Sequence, residues 1–203
     1  VPWGINVKEG DTFTIYAQST AEASMGKLTA CLPELSDHEK SVWPVAGLSG
    51  IGAGVRVWAA NDNFHENEGT IIINGGNIHA KGQQGSSAIG GSDYEHNTSY
   101  DGDTPGNLRQ GGSITINGGN ITARGGLGEG SPIGLGAGSG IGSDDVINNI
   151  TINGGNIDAY SARDGLGIGS AGTATVKITG GVIKAVSNAE AAIGLCEYST
   201  GSV

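Results

Sequence analysis

The chain repeats one ten-residue unit four times: Ile71-Ile-Ile-Asn-Gly-Gly-Asn-Ile-His-Ala80, Ile114-Thr-Ile-Asn-Gly-Gly-Asn-Ile-Thr-Ala123, Ile150-Thr-Ile-Asn-Gly-Gly-Asn-Ile-Asp-Ala159 and Val176-Lys-Ile-Thr-Gly-Gly-Val-Ile-Lys-Ala185. On both sides of the central Gly-Gly, apolar residues alternate with polar ones, which is the two-residue period of a β-strand. Gly and Asn suit the corner between the strands, because they adopt positive φ at least cost. The repeated strand-corner-strand unit predicts the coils of a β-solenoid.

A second landmark, an Ile-Gly step, follows each unit. Its copies are Ala88-Ile-Gly90, Gly140-Ile-Gly142, Gly167-Ile-Gly169 and Ala192-Ile-Gly194. The step supplies a third inward contact in each coil, so we predict a three-sided cross-section. Lys27-Leu-Thr-Ala30 and Gly50-Ile-Gly52 follow the same frame more loosely. The sequence therefore predicts an all-β solenoid of about five coils.

One repeat frame runs through nearly all of the 203 residues, so we predict a single domain at 1–203. We expect an irregular N-terminal coil and cap at 1–68, with Val1 to Ile15 as the candidate cap, and regular coils at 69–195. Because the chain begins without Met and ends in a polar tail, we expect a fragment of a larger protein. The other domains of that protein are then expected partners.

Stacking in register predicts two ladders of asparagine side chains, with rungs about 4.8 Å apart. Their members are Asn74, Asn117 and Asn153 in one ladder and Asn77, Asn120 and Asn156 in the other. Stacking also separates Cys31, in the first coil, from Cys196, in the last, by about 20 Å. A disulfide needs Cα atoms within about 7 Å, so we predict two free thiols.

Composition narrows the choice of partners. Lys and Arg total 10 and Asp and Glu total 20, which gives a net charge of −10. Nucleic acids and anionic membranes attract clustered Lys and Arg, so we predict neither as a partner. The sequence has no run of 18 apolar residues, so we predict no membrane insertion. Aromatic residues make up 5% of the chain, so each coil must pack mainly on its neighbours.

Two insertions interrupt the repeats after Ile51 and Ile89, at about Val55 to Glu68 and about Gly90 to Gly112. They leave the same edge of adjacent coils, so we expect them to lie side by side. The predicted ligand-binding residues are Trp58, Asp62, Phe64, Glu66, Tyr94, Glu95, Tyr100 and Arg109. Aromatic rings stack on the apolar face of a pyranose while carboxylates and Arg bond its hydroxyls. This combination favours a glycan site.

The second insertion also contains the acids Asp93, Asp101 and Asp103, whose oxygens could hold Ca²⁺. Their spacing does not follow a full calcium loop. We predict no other cofactor and no catalytic residue. A hydrolase needs two carboxylates roughly 5–10 Å apart, whereas the predicted strand faces offer single charges of mixed sign.

The I-x-I-N-G-G-x-I-x-A and A-G-I-G-G patterns resemble the glycine-rich β-helical repeat regions of large surface proteins of Gram-positive gut bacteria. Such regions are often labelled carbohydrate-binding or adhesin-like. The resemblance covers 69–195 well and 1–68 loosely. It implies a right-handed parallel β-helix at a bacterial cell surface, or secreted, and it names no catalytic residues to carry over.

We therefore expect a non-catalytic, adhesin-like module that binds a glycan or another host or cell-surface ligand through its inserted loops. A passive stalk that positions another domain is the first alternative. A polysaccharide-degrading β-helix enzyme, either a lyase or a glycosidase, is the second.

Overall fold

The computed structural model describes residues 4–19, 21–33, 48–53, 55–58, 62–65, 68–83, 86–91, 109–126, 141–143, 146–161, 165–170, 174–188, 191–195 and 202–203. In chain order the strands are β1 (Ile5–Asn6), β2 (Thr12–Ile15), β3 (Lys27–Cys31), β4 (Ile51–Gly52), β5 (Val55–Trp58), β6 (Asp62–His65), β7 (Thr70–Ile73), β8 (Asn77–Lys81), β9 (Arg109–Ile116), β10 (Asn120–Arg124), β11 (Ile141–Ser143), β12 (Val146–Ile152), β13 (Asn156–Tyr160), β14 (Ile168–Ser170), β15 (Val176–Ile178), β16 (Val182–Val186) and β17 (Ile193–Leu195). One short 3-10 helix, Glu22–Ser24, precedes β3.

Three faces of parallel strands surround one core. Face 1 is the sheet β2-β7-β9-β12-β15, and face 2 is the sheet β3-β8-β10-β13-β16. Face 3 consists of the pair β1-β4 and the sheet β11-β14-β17. Ile89 connects them, because it forms single parallel bridges to Ile51 and to Ile141. Successive parallel strands of a face need crossover connections, and these are right-handed in nearly all proteins. The chain is a right-handed parallel β-helix of five coils with a three-sided cross-section, as the repeats and the resemblance predicted.

The core is a set of columns in which each coil places an apolar side chain above the equivalent one of the next. Face 1 contributes Ile71, Ile114, Ile150 and Val176; face 2 contributes Ile78, Ile121, Ile157 and the alanines beside them; face 3 contributes Ile51, Ile89, Ile141 and Ile168. All of these are at most 2% exposed. Burying one such isoleucine stabilises the fold by about 1.5–3 kcal/mol. The stacked isoleucines therefore supply the hydrophobic stabilisation of a chain that has few aromatic residues.

The Asn-Gly-Gly corners behave as the sequence predicted. The second glycine of the corner adopts positive φ in each regular coil, for example +104° at Gly119 and +105° at Gly155. Asn117 Nδ2 donates to Asn74 Oδ1 at 2.7 Å, and Asn153 Nδ2 donates to Asn117 Oδ1 at 2.8 Å. The first asparagine ladder is thereby confirmed, and Thr179 Oγ1 extends it by donating to Asn153 Oδ1 at 2.9 Å.

The second ladder is confirmed between two of its members. Asn120 Nδ2 donates to Asn77 Oδ1 at 2.9 Å. Asn156 occupies the next position of the same register column. These amides connect neighbouring coils, so their role is structural.

The N-terminal segment joins the stack instead of forming a separate cap. Phe13 and Ile15 pair in register with Ile71 and Ile73, so Thr12–Ile15 is the first rung of face 1. Ile5 likewise pairs with Ile51 on face 3. The segment thus continues the strand alternation without the Gly-Gly corner that marks the regular coils, and a capping role at this end of the stack stays a prediction.

The two ends of the stack differ in their surroundings from its middle. Cys31 lies on the first rung of face 2 and is a free thiol, as predicted. Cys196, the second predicted free thiol, lies outside the described residues. In the last coil Ile178 is 39% exposed, although its face 1 equivalent Ile152 is fully buried. A single parallel bridge from Thr175 to Ser202 extends face 1 beyond β15. Ile178 thus lacks the burial that Ile152 has between two coils, whereas Val176 of the same strand stays buried.

Candidate functional site

The first insertion folds into a β-hairpin whose strands run antiparallel, in contrast to every pair within the three faces. Strands β5 and β6 pair with Trp58 opposite Asp62 and Arg56 opposite Phe64. Cross-strand partners of a ribbon share a face, and so do residues two apart on one strand. The register therefore assigns Trp58, Asp62 and Phe64, three of the predicted ligand-binding residues, to positions on one face of the hairpin.

The other predicted residues are not brought together within the described part of the chain. Arg109 begins β9 and pairs in register with Val146, on face 1. The remaining predicted ligand-binding residues, Glu66, Tyr94, Glu95 and Tyr100, lie outside the described residues, as do Asp93, Asp101 and Asp103. The predicted calcium site therefore stays a prediction. Among the described residues, no group of three or more His, Cys, Asp or Glu side chains could hold a metal ion.

The two insertions leave the solenoid from adjacent rungs, as expected. Ile51, which precedes the first insertion, forms a parallel bridge with Ile89, which precedes the second. The glycine after each of these residues has positive φ, +138° at Gly52 and +133° at Gly90. The two insertions therefore follow equivalent positions on face 3, one rung apart.

Glu68 ends the first insertion and is a buried acid. Its side chain is 3% exposed, and its main chain bridges to Lys8 in antiparallel fashion. A Cβ atom at Gly52 would lie 3.0 Å from Glu68 Oε1, so this carboxyl group lies against the turn where the insertion begins. A buried carboxyl group costs several kcal/mol unless it is bonded, so Glu68 needs polar partners at this position.

Face 2 carries the densest group of charged side chains among the described residues. Arg124 binds the Asp158 carboxylate with both terminal nitrogens, at 3.2 Å to Oδ1 and 2.8 Å to Oδ2, and donates to the Asp158 carbonyl oxygen at 2.9 Å. Lys184 Nζ lies 3.9 Å from Asp158 Oδ2. Asp158 therefore has two cationic neighbours, of which Arg124 is the closer.

The Arg124 guanidinium controls the electrostatics at this point. Its hydrogen bonds, opposed in part by burial, hold the pKa of Asp158 below the ordinary range, and the charge of Lys184 adds a smaller effect. The guanidinium carbon also lies 5.9 Å from the centre of the Tyr160 ring, one rung away, which is within the range of a cation–π contact. Arg124, Asp158 and Tyr160 therefore form one ordered surface cluster.

The comparisons with known proteins address the repeat itself. A family model described as a β-helix repeat matches residues 71–93 and 150–172, each of which contains one Asn-Gly-Gly corner. The chain is a β-helical repeat domain. Neither the curated proteins nor the solved structures gave a significant match. In the described part of this β-helical domain, no helix has the length and apolar character needed to cross a membrane.

Proposed function

We propose that this β-helical domain is a non-catalytic, adhesin-like module of a bacterial surface or secreted protein and that it binds a glycan through its inserted loops. The observation that carries the proposal is the β5–β6 hairpin, which departs from the parallel stack and assigns Trp58, Asp62 and Phe64 to one face. Binding residues are often found on loops that a rigid scaffold positions. A stack of five in-register coils is such a scaffold.

The residue types of the hairpin face suit a neutral sugar. An indole or phenyl ring covers the apolar C–H face of a pyranose, and a neighbouring carboxylate accepts hydrogen bonds from its hydroxyls. The second insertion begins one rung from the first, because Ile51 and Ile89 are bridged on face 3. The proposed site therefore combines the hairpin with Tyr94, Glu95 and Tyr100.

The test is a glycan-array screen of the chain and of the double variant Trp58→Ala/Tyr100→Ala, each in Ca²⁺ and in EDTA. Tyr16→Ala is the matched control, because Tyr16 is an aromatic residue that is 77% exposed and lies outside the insertions. We expect selective glycan binding that the double variant loses and the control keeps. Circular dichroism of each variant reports whether the fold is intact.

Each outcome distinguishes between the hypotheses. If binding is lost in EDTA as well as in the Trp58→Ala/Tyr100→Ala variant, Asp93, Asp101 and Asp103 would be assigned as metal ligands. Binding that the folded double variant retains would contradict the loop site. No binding in either condition would favour the passive stalk, which the regular stack and its asparagine ladders would also serve.

The enzyme alternative has its own readout. Asp158 is the one carboxylate in the described strands of the three faces, and it is paired with Arg124. A hydrolase of the usual kind needs two carboxylates across a cleft. Release of reducing ends or of unsaturated sugars from a polysaccharide incubated with the chain would overturn the non-catalytic proposal.

A further inference from the structure

The Asn-Gly pairs of the chain all lie at the corners between face 1 and face 2. They are Asn74-Gly75, Asn117-Gly118 and Asn153-Gly154. An asparagine that precedes glycine is prone to an intramolecular reaction, because no side chain on the glycine hinders the attack of its amide nitrogen on the asparagine Cγ. Each corner therefore holds an electrophile and a nucleophile next to each other, in addition to its structural role in the first ladder.

The nucleophilic nitrogen of each pair is available. In the part of the chain that the structure describes, the amide groups of Gly75, Gly118 and Gly154 donate no hydrogen bond, whereas the asparagine amide before each of them donates to the preceding coil. The second ladder offers an internal comparison, because its asparagines precede β-branched isoleucines, which hinder the attack. These asparagines are Asn77, Asn120 and Asn156.

Solvent access differs between the three corners. Asn117 and Asn153 are exposed and the glycines after them are half-buried, whereas Asn74 is half-buried and Gly75 is buried. The reaction passes through a deprotonated glycine nitrogen, and burying an anion costs more than one hydrogen bond contributes. Asn74 has one fewer ladder bond than the other two, but its burial outweighs this difference. The reactive corners are therefore those of Asn117 and Asn153.

The ladder restrains Asn153 less than Asn117. The Asn117 side chain is held by amide groups on both sides, at 2.7 Å to Asn74 and 2.8 Å to Asn153. Asn153 Oδ1 accepts from Thr179 Oγ1 at 2.9 Å, but this hydroxyl also lies 3.4 Å from the carbonyl oxygen of Ile152. One hydroxyl proton serves two acceptors, so the Asn153 side chain is the freer of the two to turn its Cγ toward the following glycine.

We propose that Asn153 is a site of spontaneous deamidation and that Thr179 restrains the reaction. The Gly154 nitrogen loses its proton and attacks Asn153 Cγ, the Cγ–Nδ2 bond breaks, and ammonia leaves with that proton. Water then opens the succinimide ring to aspartate or isoaspartate. Aspartate places a carboxylate oxygen where Nδ2 donates to Asn117 Oδ1 at 2.8 Å, so this ladder bond is lost. Isoaspartate also lengthens the backbone of the corner. The modification therefore loosens the junction between the coils of Asn117 and Asn153.

The experiment incubates the full chain in a mildly alkaline buffer and follows each asparagine by peptide mapping with mass spectrometry. The test variant is Thr179→Val, which keeps the shape of the side chain and removes the hydroxyl. The matched control is Thr151→Val, which makes the same change at a half-buried threonine of β12 outside the ladder. The chain unfolded in urea gives the rate at Asn153 without restraint, and circular dichroism reports whether each variant is folded.

We expect Asn153 to be modified before Asn117 and Asn74, and the asparagines that precede isoleucine to stay intact. Thr179→Val should raise the rate at Asn153 about two- to tenfold, because one hydrogen bond of ordinary net strength corresponds to that factor. The rates at the other two corners should not change, and the Thr151→Val control should match the unmodified chain at every position.

Four results would overturn the proposal. They are an intact Asn153 in the folded chain when the unfolded chain is modified there, faster modification of Asn117 or Asn74, equal rates at the asparagines that precede isoleucine, and a Thr179→Val rate at Asn153 no higher than that of the control. If Thr179→Val does not fold, the order of the three rates in the unmodified chain still tests the site. Neither variant changes the β5–β6 hairpin, so this proposal and that of the loop site can fail independently.

Discussion

On the strands of face 2, the residue type is nearly constant from coil to coil at inward positions and varies at the outward positions beside them. The inward column Leu28, Ile78, Ile121, Ile157 and Ile183 is nearly uniform, whereas the outward column beside it is Thr29, His79, Thr122, Asp158 and Lys184. Both columns share the same backbone hydrogen bonds. The difference shows that stacking constrains the side chains that face the core and leaves the outward positions available for other chemistry.

The glycines of the Ile-Gly steps on face 3 are constrained still more strongly. A substitution at one of them should have the largest effect on stability. Gly142 has φ +112°, and a Cβ atom would collide with the carbonyl oxygen of Gly169 on the next rung. Strain in this backbone region alone costs about 1–3 kcal/mol, and the collision adds to it. We expect Gly142→Ala to lower the free energy of unfolding by more than about 3 kcal/mol, as measured by chemical denaturation.

Gly10→Ala measures the backbone strain at positive φ without the collision of a Cβ atom. Gly10 has φ +86°, but a Cβ atom there would meet nothing within 4 Å. Its substitution should cost only the backbone strain, about 1–2 kcal/mol. If the two variants proved equally stable, the close approach of neighbouring rungs at the Ile-Gly steps would not be the reason for glycine there.

The inward and outward columns can be compared directly at two successive residues of β10. Ile121 is 2% exposed and lies between Ile78 and Ile157, so Ile121→Ala should lower the free energy of unfolding by about 2–5 kcal/mol. Thr122 points outward and is half-buried. Thr122→Ala should change stability by less than about 1 kcal/mol.

Denaturant titration of both variants tests this comparison. Similar losses at the two positions would mean that the outward column also carries stacking energy. Its variability would then reflect something other than weak constraint.

The repeats predicted most of the fold because each physical requirement recurs once per coil. The inward isoleucines, the glycine corners and the asparagine ladder all follow from one unit and its copies. The first rung was harder to assign, because Phe13 and Ile15 precede no Gly-Gly corner. The β5–β6 hairpin could not be predicted, since it belongs to an insertion that occurs once and has no second copy to compare.

The charge network on face 2 shows a different limit. The register predicted that Asp158 and Lys184 would be neighbours, because they are partners across one rung. Arg124 lies in the adjacent column, and its long side chain reaches Asp158 diagonally. Register gives the positions of Cα atoms, whereas the pairing of long charged side chains depends on rotamers and on the planar geometry of the guanidinium.

Asp158→Asn tests the strength of this network and should have the smallest effect. The Asp158 and Arg124 side chains are 37% and 32% exposed, so solvent weakens the pair and the loss of unfolding free energy should stay below about 1 kcal/mol. Because the folded state lowers the pKa of Asp158, its contribution is complete above the unfolded pKa of about 3.9 and is lost as pH falls through the lower folded value. Thermal unfolding of both proteins between roughly pH 2 and pH 7 should show a difference that closes at the acid end.

Lys184→Gln and Arg124→Gln identify which partner matters. Lys184 Nζ is 3.9 Å from the carboxylate, and its side chain is 72% exposed, so its removal should change stability less than removal of Arg124. Arg124 also bonds the main chain of the neighbouring strand, which Lys184 is not seen to do. An equal effect of the two substitutions would mean that charge alone, and not bidentate geometry, stabilises the outward column.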